Sequence, residues 1–274
     1  MLKVISTHVF LHQRLHPALL EALVAGGAQA IEIFAARQHF DYASRAHVKE
    51  IADWFRANPV ESFSLHMPLF SDAEMGRGGA PAVNVIHPEK SRRIDAMDEI
   101  KRALEAAEQM PLRFLILHLG EREDRWNPRT IEHAMTAIEH LQAFARPLGV
   151  KLLLENIQNE VTRLEHLLEI LSIGHFKDAG ICLDFGHAHI GEGVRAGIEE
   201  AKQSIFSAHI HDNHGLKDEH LWPGDGTIDW DEGMEALRTA PHLAGGVLEI
   251  DSRLNDSPAA VSQQAQAVFN KLGF

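Results

Sequence analysis

The chain has 274 residues, 45% hydrophobic and 24% charged, and no run approaches the ~18 uncharged apolar residues that a membrane-spanning helix needs. Its formal net charge of −13 argues against a nucleic-acid partner, because such proteins gather Lys and Arg on one face; a metal site would add local positive charge that this count omits. The one cysteine, Cys182, excludes an internal disulfide and fits a reducing compartment, whereas the 19 histidines mark where chemistry belongs.

Met1 to Ser6 lacks a basic region and cleavage site, reads as a first strand over residues 4–8, and leads us to expect a cytoplasmic protein. Strands follow at 30–34 and 62–66. A long loop over 67–88 holds Gly76, Gly78 and Gly79 and has the makings of a lid. Ile94, Met97, Lys101, Leu104 and Glu108 then trace a mixed helical row, with Ile100 and Ala107 on its apolar side. After a strand at 114–119, Asn127-Pro128 starts a helix whose stripe is Ile131, Met135, Ile138, Leu141 and Ala145, and Gly149 stops it. Strands at 150–155, 179–183 and 206–211 lead to a second long loop over 212–228. A strand at 246–250 precedes a helix started by Ser257-Pro258 and continued by Val261, Ala265, Val268 and Leu272.

Most of these strands are apolar at successive positions, as parallel strands covered on both faces are. Eight such strand–helix pairs at this length, with no linker between them, predict one (β/α)8 TIM barrel over residues 1–274. In a barrel of this kind the residues closing the strands meet at the C-terminal mouth. They are His66, His118, Glu155, Asp184 with His187 three residues on, His209 and His211, and Glu249. Glu155 and Glu249 close strongly apolar strands, and burying a lone carboxylate costs several kcal/mol, so a cation is expected to compensate them. Oxygen and imidazole donors suit one divalent ion, Zn²⁺, Mn²⁺, Co²⁺ or Mg²⁺. His12, His16, His39, His47, His133, His140, His166 and His175 fall in helices or loops and are expected to have no catalytic role.

Three stretches carry a family resemblance: Leu154-Glu155-Asn156, Cys182-Leu183-Asp184-Phe185-Gly186-His187, and the run from His209-Ile210-His211-Asp212 to Pro223-Gly224-Asp225-Gly226-Thr227-Ile228-Asp229-Trp230. Together they resemble the xylose isomerase-like barrel superfamily, over nearly the whole chain. That superfamily includes sugar isomerases, ketose 3-epimerases, inosose and dehydroshikimate dehydratases, and endonuclease IV-type repair enzymes. The resemblance implies one divalent ion held by Glu155, Asp184, His209 and Glu249. His209 is preferred to His211 because it lies three residues before Asp212. It also implies a substrate contact from His187, a small polyhydroxylated carbonyl substrate, and the dimers or tetramers its members often form. Arg253, just past Glu249, is a candidate for a substrate carboxylate or phosphate on charge alone.

Glu155 and Glu249 are the expected acid–base pair of an isomerase or epimerase. A proton beside a carbonyl can be removed by a carboxylate when an ion stabilises the developing negative charge. A dehydratase of a cyclic polyol or of dehydroshikimate would share this first step. An endonuclease IV-like enzyme with three zinc ions is the other reading. Its nine ligand types have counterparts in His66, His118, Glu155, Asp184, His187, His209, Asp218, His220 and Glu249. Against it stand the short loop between His209 and Asp218, the absence of a Gly-rich stretch after Glu155, and the acidic balance.

Overall fold

The computed structural model describes residues 1–251 and 256–274. Eight parallel strands close a barrel in the order β1 to β8: Leu2–Ser6, Ala30–Phe34, Glu61–His66, Phe114–Leu117, Lys151–Glu155, Ala179–Asp184, Ile205–Ile210 and Gly245–Leu248. Helices Pro17–Ala25 (α1), Arg45–Ala57 (α2), Lys90–Leu104 (α3), Pro128–Ala145 (α4), Leu164–Ile173 (α5), Phe185–Ile190 (α6), Val194–Ala201 (α7), Trp230–Leu237 (α8) and Pro258–Leu272 (α9) surround it. The expected (β/α)8 barrel is the architecture observed. No helix among the described residues is long and apolar enough to cross a membrane.

The strands bury both faces, and period two sorts them. Leu152, Leu154, Ile181, Leu183, Ala208, Ile210 and Leu248 pack outward into the layer beneath the helices. Val4, Ala30, Phe63, Phe114, Ile116, Leu153, Cys182 and Val247 form a small apolar plug inside the barrel. The next inward positions toward the C-terminal mouth are polar and buried, among them Glu32, Ser64, Glu155, Asp184 and His209. The polar site therefore sits directly on the apolar plug.

Helix starts follow their local chemistry. Asn127 accepts from the backbone N–H groups of Arg129 and Thr130 while Thr130 Oγ1 accepts from Asn127 N, a complete capping box. Ser257 caps α9 through Ala260 N. The row expected through Ile94 needs correction: Ile94 is exposed, and the buried face of α3 runs through Ala96, Glu99, Ile100, Ala103 and Leu104. Glu99 turns inward because Arg37, Arg102 and the Tyr42 hydroxyl all donate to it.

Strand ends also differ from expectation. The fourth strand stops at Leu117, the seventh at Ile210 and the eighth at Leu248, so His118, His211 and Glu249 lie just past their strands. Residues 7–10, expected partly as strand, form a single 3₁₀ turn. The loop over 67–88 folds back on itself, pairing Phe70 with Ala82, and packs Leu69 and Met75 against Leu11, Phe34 and Ala36 beside the mouth.

Candidate metal centre

Four adjacent strands each deliver one group to a single point. Glu155 ends β5, Asp184 ends β6, His209 lies in β7, and Glu249 follows β8. One donor atom from each falls within 4.8 Å of all the others, and all four residues are buried. His209 Nδ1 lies 3.1 Å from Glu249 Oε2, 3.2 Å from Glu155 Oε1 and 3.7 Å from Asp184 Oδ2. Yet Nδ1 makes no hydrogen bond. It is directed at the space between the three carboxylates rather than at any one of them.

The other ring nitrogen explains that orientation. His209 Nε2 lies 3.3 Å from Glu32 Oε2, and Ser64 Oγ donates to the same oxygen at 2.7 Å. With Nε2–H donated to Glu32, Nδ1 is the nitrogen left facing the carboxylates, where a cation would take the place of its proton. Burial alone would keep His209 neutral, but the facing Glu249, Glu155 and Glu32 raise its pKa well above the ordinary value. Burial likewise opposes ionisation of Glu155 and Glu249, and His209 outweighs it, holding both carboxyl groups well below their usual range. Three carboxylates gathered around one orphaned imidazole nitrogen thus call for positive charge at this point. Three oxygens and one nitrogen suit Zn²⁺, Mn²⁺, Co²⁺ or Mg²⁺, so the residues fit the ion.

Two further groups abut this one. Glu155 turns its second oxygen to His118 Nε2 at 3.0 Å and His66 Nε2 at 3.5 Å, and these three can also hold a cation. Across the quartet, His211, Asp218 and His220 form another such group. The nine counterparts read from the sequence include His187, Asp218 and His220 but not His211. His187 Nε2 does lie 3.1 Å from Asp218 Oδ2, but it is His211 that completes the compact triad. His211 reaches there because it stacks on His220, ring centroids 3.9 Å apart, while its Nε2 hydrogen-bonds Asp184 at 2.9 Å. Burial works against charge on His187 and His220, but the neighbouring carboxylates outweigh it. Asp184 and Asp218 push His187 up to about 10, and Asp218 pushes His220 up to about 9.

The long loop over 212–228 is what places Asp218 and His220. Asp212 accepts from the backbone N–H of Gly224 and Ile228 and from Trp230 Nε1, pinning the loop at both ends. His220 adopts a left-handed φ of 46°, a strain that its Nδ1 contact to the Glu249 carbonyl helps to hold. Gly186 is required by packing: a Cβ there would sit 2.0 Å from His211 Cε1.

The model of the xylose isomerase-like TIM barrel family matches residues 20–272. The chain belongs to that family. It is 27% identical over 259 residues to an uncharacterized protein of Methanocaldococcus jannaschii, spanning 91% of this chain and 83% of that protein. An inosose isomerase of Bacillus subtilis is 33% identical over 118 residues, 38% of this chain and 41% of the relative. A probable endonuclease 4 of Haloquadratum walsbyi is 26% identical over 175 residues, 57% of this chain and 61% of the relative. Among solved structures, an IOLI protein with a bound zinc atom superposes with a TM-score of 0.82 at 18% identity, covering 99% and 98% of the two chains.

Within this xylose isomerase-like barrel, His66, His118, Glu155, Asp184, His187, His209, His211, Asp218, His220 and Glu249 all gather at one mouth. Arg253 lies outside the described residues. Among the histidines expected to be idle, His39 and His47 are buried structural groups bonded to the carbonyls of Gln13 and Leu15, and His166 stacks on Trp126. Three contributors escaped the sequence reading. Glu32 sits mid-strand, where only its polarity inside an apolar strand was a signal. His8, just past β1, lines the site beside Phe34 and His220 and bonds the Ile250 carbonyl. Asn156 exchanges two hydrogen bonds with the Asp184 backbone and accepts from His187 Nδ1.

Proposed function

We propose that this chain is a divalent-metal-dependent isomerase or epimerase of a small polyhydroxylated carbonyl compound, with Glu155 and Glu249 as the proton-transfer pair. The observation that carries the reading is the convergence of Glu155, Asp184 and Glu249 on the orphaned Nδ1 of His209. A bound divalent ion would supply Lewis-acid polarisation of the substrate's carbonyl oxygen.

The chain's own groups do the rest. One glutamate removes the proton from the carbon beside the carbonyl. Return by the other glutamate to the opposite face gives an epimer; return by the same one to the neighbouring carbon gives the aldose–ketose isomer. His118 and His66 hold the second oxygen of Glu155 and so keep the first turned to the point where it meets His209, Asp184 and Glu249. His187, backed by the Asn156 carbonyl and bonded through Nε2 to Asp218, stands at the cavity wall, where a substrate hydroxyl would compete for that N–H. That cavity is about 160 Å³, and Phe34, Leu69 and Ile157 give it an apolar wall beside the reacting groups. The inosose isomerase relative supports this class of substrate.

Elemental analysis of purified protein, followed by incubation with ketoses in deuterated water, tests the proposal. One ion per chain is expected, with solvent deuterium entering a ketose carbon, lost on chelation and restored by Mn²⁺ or Co²⁺. Metal-loaded protein that exchanges no proton with any ketose in the panel would sink it.

A second reading is favoured by a specific observation: the flanking groups at His66–His118–Glu155 and His211–Asp218–His220 make room for two more ions. Such a centre suits phosphodiester hydrolysis, in which paired ions steady attacking and leaving oxygens. The small cavity and the net charge of −13 favour the isomerase reading. Three zinc ions per chain together with chelator-sensitive cleavage of abasic-site DNA would decide for the hydrolase.

A further inference from the structure

A second, larger cavity of about 380 Å³ adjoins the metal centre, with Ile157 and His187 lining both. Its walls are the loops that follow β4, β5 and α6. In a chain with 39 acidic and 26 basic residues, three guanidinium groups, those of Arg122, Arg125 and Arg163, line this one chamber. Arg125 is held in place by Glu160 at 3.5 Å and Glu123 at 3.8 Å. Among the described residues, the Arg122 side chain has no hydrogen-bond or ion-pair partner. Arg163 stands at the N-cap of α5 without making a side-chain cap, with Glu192 as its charged neighbour. Gln158, in the same wall, has its Nε2 buried with no acceptor.

The protein's own acceptors therefore leave two donor groups of the chamber free, the exposed guanidinium of Arg122 and the buried Nε2 of Gln158. Gln158 Nε2 is a buried donor without an acceptor, which is uncommon in folded proteins and is explained by a ligand group that it awaits, whereas the three arginines reach the chamber from its solvent-exposed rim. The carboxylates here do not remove that surplus. Glu123 and Glu160 already serve Arg125, and Glu123 projects into solvent. Planar guanidinium groups match the paired oxygens of a phosphate or a carboxylate.

The geometry points to an anionic substrate: a polyhydroxylated carbonyl compound whose reacting end lies at Glu155 and Glu249 and whose phosphate or carboxylate end is held by Arg122, Arg125 and Arg163, with Gln158 donating. This rests on the isomerase or epimerase reading for the reacting end only. The anion chamber is read from its own residues, and binding tests it separately from turnover.

The full chain, loaded with Mn²⁺, is titrated calorimetrically with fructose, fructose 6-phosphate and 5-keto-gluconate. At least one anionic probe is expected to bind roughly 10–100-fold more tightly than fructose, the range for hydrogen bonds between charged groups. Which of the two binds tighter identifies phosphate or carboxylate. In Arg122→Glu, where no hydrogen bond or ion pair with the described residues is lost, the ratio of anionic to neutral affinity should fall to near one or below. In Arg122→Lys, which keeps the charge, most of the ratio should survive. Equal affinity for the three probes, binding of none, or a ratio unmoved by Arg122→Glu overturns the inference. Deuterium exchange run on the same sugars keeps the two readings apart. Exchange of fructose without anion preference removes the chamber and leaves the enzyme, and anion preference without exchange does the reverse.

Discussion

The carboxylate of Glu32 and the imidazole of His209, 3.3 Å apart and both fully buried, form a pair in which the carboxylate sets which nitrogen faces the three acidic groups. Glu32 makes no contact of its own with that point. In Glu32→Ala the ring loses its partner and Nδ1 is no longer held toward Glu155 and Glu249. Divalent-ion affinity should fall roughly 10–100-fold, as when the outer partner of a ligating histidine is removed. The absorption spectrum of the Co²⁺-loaded protein should change with it, and Glu32→Gln, which still accepts from Nε2–H, should recover part of both. An unchanged affinity and spectrum in Glu32→Ala would show that packing alone orients His209.

Replacing Glu155 or Glu249 with Gln keeps an oxygen but removes the base. Each variant should remain loadable at higher ion concentration, while turnover falls by roughly 10²–10⁴-fold. For a two-base epimerase, one variant should still exchange the proton of one epimer with deuterated water without converting it. Full turnover in both metal-loaded variants would transfer the role of base to His66, His118, His187 or His211.

Chelation should destabilise the fold. Without a cation, three carboxylates crowd around one point, whereas an ion that binds only the folded state adds stability by mass action. At an ion concentration about 100 times its dissociation constant the gain is about 2.7 kcal/mol. Urea midpoints with and without chelator measure it, and coincident midpoints would mean that the quartet holds no ion in solution.

Gly186→Ala tests the packing that positions the second wall of the site. The added Cβ would lie 2.0 Å from His211 Cε1, so the ring must move, and with it the hydrogen bond to Asp184. A loss of about 1–3 kcal/mol is expected from overpacking, together with weaker ion binding. A crystal structure of the variant with His211 unmoved would refute this.

Burial holds His39 and His8 neutral, lowering each to about 4 from 6.5. Below pH 6.5 the unfolded chain binds protons that the folded chain refuses, so their contribution is present above 6.5 and lost as pH falls toward 4. Each costs about 3 kcal/mol by pH 4. His39 lies away from the ion site, so the His39→Gln variant should show a flatter fall in stability between pH 6.5 and 4. The same slope as the parent would place the acid sensitivity elsewhere.

Much of the barrel was legible in the chain itself, because parallel strands buried on both faces must be apolar at successive positions and strand-to-helix turns carry their own signals. Asn127-Pro128 and Ser257-Pro258 specify helix starts within a few residues. Glu155 and Glu249 stood out as carboxylates at the ends of apolar strands, a local contradiction that chemistry alone flags. Contacts across the barrel are a different matter. Glu32 and His209 are 177 residues apart, and only closure of β1 to β8 brings one beneath the other. His209 and His211, two residues apart, are expected to face the same way from one strand, and only the resemblance, through the spacing to Asp212, favours His209. The end of β7 at Ile210 and the open space above Gly186 separate them, sending one ring to the quartet and the other to Asp184 and His220. The arginines of the adjoining chamber come from two loops, after β4 and β5. Loop residues carry no periodicity to read, so only the tertiary structure could place Arg122 and Arg163 beside His187.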